Sequence, residues 1–205
     1  MKITSICFYF SIIFSTLLLL NFVGCKEIFE KSRTIDGIKI RADSVEIYDV
    51  IKASSGIIAQ DQEIQGIKFK AGTKVWFDKN GKLSSVSISE NKEIQGMKFK
   101  VGTAIGFDEN GKLSSGILSE NQEIQGAKFK AGTVIQLHEN GRLSNGTLSE
   151  DKEIQGIKFK VGTEVYFHES GKLLGGTISE NQEIQGMKFQ EGAEVKFDEN
   201  GKLMK

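Results

Sequence analysis

An all-β fold built from tandem 30-residue repeats is what this sequence predicts. Three observations carry that prediction. The block Glu-Ile-Gln-Gly begins at Glu63, Glu93, Glu123, Glu153 and Glu183, at a constant spacing. Short apolar/polar alternations follow each block, as in Thr73 to Asp78, where Val75 and Phe77 share one face and Lys74 and Trp76 the other. A period of two marks a half-buried strand. Turn-forming Asn-Gly or Ser-Gly pairs then separate these runs at Gly81, Gly111, Gly141, Gly171 and Gly201, where both residue types tolerate positive φ.

Within one unit the elements follow in order. Glu63 to Lys70, rich in Ile and Phe, reads as a first strand ending at Ala71-Gly72. Thr73 to Asp78 is the second, and Lys79-Asn80-Gly81-Lys82 reverses the chain. Leu83 to Ser89 is the third, and Ser89-Glu90-Asn91 leads into the next unit. Ile64 and Phe69 are an odd number of residues apart, as are Leu83 and Ile88. A bulge at Gly66, and another at the place held by Val86, Gly116, Gly146 and Gly176, would return each pair to one face. One such unit buries too little to fold alone, so neighbours must stack. An elongated antiparallel meander and a β-solenoid both fit, and the hairpin-type turns favour the meander.

The repeats occupy residues 63–205. A degenerate copy precedes them at 34–62, where Ile35-Asp36-Gly37-Ile38-Lys39-Ile40 echoes Ile64-Gln65-Gly66-Ile67-Lys68-Phe69. Terminal repeats are often atypical because they cap the stack. Ser44 to Ile51 also fits a short helix, with Val45, Tyr48 and Ile51 on one face.

Composition excludes several function classes. The 205 residues carry 27 basic and 27 acidic side chains, so no basic field exists to hold nucleic acid. With two Cys, a disulfide framework is excluded. The repeats contain no Gly-x-Ser-x-Gly elbow, and near-identical units do not supply the distinct residues one active site needs; no enzyme and no cofactor is expected. His138 and His168 fall at the same place in adjacent units, but a stable metal site wants three or four convergent ligands, and Asp78, Asp108 and Asp198 occupy the equivalent places. Asp78-Lys79-Asn80-Gly81 lacks the alternating ligands and distal Glu of a calcium loop. The equivalent positions Trp76, Gly106, Gln136, Tyr166 and Lys196 vary from unit to unit, which points to solvent. Their aromatics, Trp76 and Tyr166, are the candidate binding residues.

The amino terminus carries a further signal. Met1-Lys2 precedes an apolar run from Ile3 to Leu20, then Phe22-Val23-Gly24-Cys25. This resembles a bacterial lipoprotein signal of the looser, spirochaete-like form. The resemblance implies removal of residues 1–24, acylation of Cys25 and a tether over 25–33. Several acyl chains would anchor the protein stably. The alternative is an uncleaved anchor, since about 18 apolar residues approach the ~20 of a membrane span. Lys26, rather than Asp, after the Cys leans toward the outer membrane.

Phe107-Asp108-Glu109-Asn110-Gly111-Lys112-Leu113, between Gly102 and Gly116, is similar to MORN-like repeats, most of all to the variant of bacterial antitoxin proteins. The resemblance recurs in all five units, although these are longer than MORN-like units. It implies a β-hairpin array acting as scaffold or binding surface, and no catalytic residues. The expectation is a lipid-anchored protein of the bacterial envelope that presents a repetitive β surface to a protein or envelope partner. A structural protein that self-associates through a terminal strand edge is the second expectation.

Overall fold

The computed structural model describes residues 32–35, 37–49, 52–64 and 66–204. The leader, Cys25 and most of the tether lie outside the described residues.

Each unit contributes two hairpins of different size. In the unit from Lys92, the small hairpin pairs Lys92–Ile94 with Met97–Phe99. The larger pairs Ala104–Phe107 with Leu113–Ile117. The large hairpins join into one antiparallel sheet of eleven strands, each bonded to its neighbours in the meander. The expected meander is therefore present, and adjacent units pair antiparallel rather than stacking in parallel as solenoid coils would.

The unit has four strands, not the three expected. The glycine of Glu-Ile-Gln-Gly is not a bulge inside a strand. Gln95 and Gly96 have φ of 53° and 76°, the two left-handed residues of a tight I′-type reversal. A side chain at positive φ is uncommon, and in the units of Gln125, Gln155 and Gln185 the Gln side chain compensates. Gln155 donates from Nε2 to the Gly171 carbonyl at 3.1 Å and accepts from the Leu173 amide at 3.1 Å. Gln125 and Gln185 make the same pair of bonds to Gly141 and Leu143, and to Gly201 and Leu203. The small hairpin is thereby tied to the turn of the large one.

The second expected bulge exists, two residues nearer the turn than the place of Val86. Trp76 pairs with Ser85 but Phe77 pairs with Leu83, so Ser84 is the extra residue. The shift repeats at Gly106/Phe107, Gln136/Leu137 and Tyr166/Phe167. It brings Leu83 and Ile88 to the same side, and both are buried with Ile64, Phe69, Val75 and Phe77 in one core.

The glycines at 116, 146 and 176 have another cause. Each lies where the Phe ring of its own small hairpin meets the sheet, with Phe99, Phe129 and Phe159 fully buried. Backbone bridges Phe99–Leu118, Phe129–Leu148 and Phe159–Ile178 then lock each hairpin down. Ion pairs reinforce them on the wet side, Lys98–Glu120 at 2.7 Å and Lys158–Glu180 at 2.7 Å. In the first unit Val86 stands where the others have Gly. Among the described residues Phe69 makes no such bridge to Ile88, and a cavity of about 380 Å³ lies beside Phe69, Lys68, Glu90 and Lys92.

Before the first full unit, Ser32–Ile35 pairs with Ile38–Arg41. A short 3-10 turn at Ala42–Ser44 follows, then sheet strands Glu46–Asp49 and Lys52–Ile57. The order of a small hairpin and two sheet strands is that of the later units.

Candidate binding face

The small hairpins cover one face of the sheet and leave the other open. Strand alternation sends Val75, Ile105, Ile135, Val165 and Val195 inward, all buried, and their neighbours outward. On the open face the pairing runs as one continuous row. Ser55 meets Trp76, Trp76 meets Ser85, Ser85 meets Gly106 and Gly106 meets Ser115. Ser115 meets Gln136, then Asn145, Tyr166, Gly175 and Lys196 follow in turn. A parallel row contains the pairs Ile57–Lys74, Ser87–Ala104, Ile117–Val134, Thr147–Glu164 and Thr177–Glu194.

Trp76 and Tyr166 thus share one row of the open face, both half-buried. Six strand steps separate them, or ~29 Å at 4.8 Å per step. Lys74 lies over Trp76 with Nζ 5.2 Å from the ring centre, and is 3.9 Å from Glu46. Tyr166 has the opposite companion, donating its hydroxyl to Glu164 at 2.7 Å. That hydrogen bond, with burial and the Glu164 charge, raises the phenol above its ordinary pKa. Between the two aromatics the surface is small and polar, apart from Ala104, Ile117 and the 45% exposed Val134. A smooth sheet with aromatics at intervals offers contact area and hydrogen bonds without the concavity of a small-molecule site.

The other sequence candidates have structural tasks. His138 Nε2 is 2.8 Å from the Phe167 carbonyl and His168 Nε2 is 2.9 Å from that of Phe197. Each imidazole therefore staples its turn to the next unit. Where Asp replaces His, the carboxylate closes its own turn: Asp78 Oδ1 accepts from the Asn80 and Lys82 amides at 2.8 and 2.9 Å. These bonds hold Asp78 below the usual carboxylate range, the Lys82 amide acting most strongly. Among the described residues no three His, Cys, Asp or Glu side chains converge as a metal would require. No described helix is long and apolar enough to cross a membrane. Sequence reasoning missed the tie from Gln155 to the large hairpin. Its signal was the unvarying Gln before a positive-φ glycine.

Comparison with known proteins gives a partial family match and likenesses to solved structures. No curated protein matches the sequence. A solved alternansucrase in complex with isomaltononaose aligns over 85% of this chain and 15% of its own, at 17% identity. With a TM-score of 0.15, that alignment carries no weight for fold or function. Residues 190–205, from the turn at Gly192 through the final Asn-Gly hairpin, match the MORN repeat variant.

Proposed function

We propose that this chain is a non-enzymatic, lipid-anchored protein of the bacterial envelope, held by Cys25, whose open sheet face binds a partner. The observation that carries the reading is where the units differ. The inward positions keep their character, as in Leu83, Leu113, Leu143 and Leu173. The outward position holds Trp76, Gly106, Gln136, Tyr166 and Lys196 in successive units. Folding constrains the covered face and leaves the open face to be shaped by contact. MORN-type repeats fit a binding or membrane-associated scaffold, and the leader supports export and acylation.

Protease treatment of intact cells, followed by detection of the repeat region, tests the location. Rapid digestion supports surface display and capture of an external partner. Protection until the envelope is broken supports a periplasmic role. Persistence of full-length, unacylated chain in the cytosol would contradict the reading. A self-associating structural role is the second reading, favoured by the arrangement of charges on the open face.

A further inference from the structure

We propose that the open sheet face is self-complementary and that its partner is a second copy of this chain, packed face to face about a two-fold axis at Ser115 and Ile117. The proposal rests on the reading of the open face as the binding surface and names its occupant.

Register along the two outward rows places the axis. Trp76 lies three strand steps to one side of Ser115, and Tyr166 three steps to the other. Lys74 and Glu164 lie three steps either side of Ile117 in the parallel row. A two-fold axis along the strand direction reverses strand order while keeping each row opposite itself. It therefore sets Trp76 against Tyr166 and Lys74 against Glu164 of the other copy. Farther out, Glu46 pairs in register with Ser55, five steps from Ser115, and Lys196 lies five steps away on the other side. The same axis sets them opposite each other, again with opposite charge. Glu194, five steps from Ile117, comes over the edge beyond Ile57, whose amide donates to Ser44 Oγ, rather than over a carboxylate.

Size matches as well as charge. Gly106 faces Gln136, Ser85 faces Asn145 and Ala104 faces Val134, while Ile117 meets itself at the centre. The exposed apolar patch of Ala104, Ile117 and Val134 is covered by its own image. Isologous contacts require that kind of self-complementarity, and stacked sheets pack with strands aligned within about 30°.

The central strand holds Ser115 and Ile117, so the overlap spans all eleven strands. At ~4.8 Å spacing and about 15 Å of strand length this gives on the order of 800 Å² per copy, the size of a standard interface. Most of that face is polar and gains little on burial, so the dimer is weak in solution and is favoured where a common membrane anchor concentrates and aligns the copies.

The test is sedimentation velocity of the full chain in detergent, from ~1 to 100 μM, a range that brackets weak association. Wild type is expected to dimerise with rising concentration. Lys74→Glu and Glu164→Lys each place like charges in both symmetry-related contacts and should weaken dimerisation by at least ~10-fold. An equimolar mixture of the two variants restores both contacts and should dimerise, as should the double variant K74E/E164K. Far-ultraviolet circular dichroism checks that each variant keeps its sheet. Ile117→Lys, which meets itself, should remain monomeric. A wild type that stays monomeric overturns the proposal, as do single variants that dimerise like wild type or a mixture that does not recover. If crosslinks from Trp76 and Tyr166 still reach another envelope component, only the choice of a second copy falls and the open-face reading stands.

Discussion

The backbone of Gly116 runs beneath the ring of Phe99 so closely that a Cβ at residue 116 would sit 2.5 Å from two ring carbons. Gly146 and Phe129 stand in the same relation, as do Gly176 and Phe159. This close approach lets each small hairpin settle on the sheet and form its backbone bridge. Gly116→Ala should therefore lift the hairpin and cost about 1–3 kcal/mol, the usual penalty of overpacking. Urea unfolding gives the size, and loss of exchange protection at Lys100 and Ser119, whose amides bond Ile117 and Lys98, gives the place.

The first unit is a natural version of that experiment. Val86 holds the glycine position, and the Phe69 hairpin lacks the bridge that the later units have among the described residues. Val86→Gly should seat it. The expected result is new amide protection at Lys70 and Ser89, measured by hydrogen exchange. Unchanged exchange at both would separate the glycine from hairpin docking.

The Gln155 amide bridges two hairpins with bonds to Gly171 and Leu173. Gln155→Ala keeps the strained φ and loses both bonds, so it should destabilise the fold by about 1–2 kcal/mol. Gln155→Gly also loses the bonds but relieves the backbone, and should cost less. Thermal unfolding of the two variants side by side measures the difference.

His168 and Asp198 solve the same problem at equivalent positions, one by bonding the next unit and the other by closing its own turn through the Asn200 and Lys202 amides. His168→Asp should thus be nearly neutral, within about 0.5 kcal/mol, while His168→Ala loses a bond without replacement and costs about 1 kcal/mol. Equal losses in both would show that the turn does not accept the aspartate.

Tyr166 titrates above its ordinary value because its hydroxyl bonds Glu164. Glu164→Gln removes the charge and should lower that pKa toward the value of a free phenol. Absorbance of the phenolate against pH follows it. The carboxylates act in the opposite sense. Asp61, held low chiefly by Lys70 and the Ala71 amide, and Asp78 favour the folded state above the pKa of an unfolded aspartate. That contribution is lost as pH falls through their lowered values. An acid titration followed by circular dichroism should show wild type weakening there and D78N weakening less.

The repeat length, the meander and the outward position of Trp76 and Tyr166 were all legible, because alternation and turn residues act locally. The fourth strand was not. Gly66 read as a bulge, since glycine inside a strand often marks one. A Gln at positive φ is supported by long-range bonds, such as those of Gln155 to Gly171 and Leu173, which the pattern within one unit does not show. Gly116 was read as a bulge for a similar reason. Glycine in a strand signals either a bulge or a close approach, and only the packed Phe99 ring decides between them. The row joining Trp76 to Tyr166 depends on register across many strands, which no single unit specifies.

Photocrosslinking on cells tests most directly the claim that the open face is the binding surface. A photoreactive residue replaces Tyr166 on that face or Lys128 on the small-hairpin side. The account predicts adducts from position 166, either to a second copy or to another envelope component, and none above background from 128. Adducts from 128 alone would place binding on the covered side and contradict it.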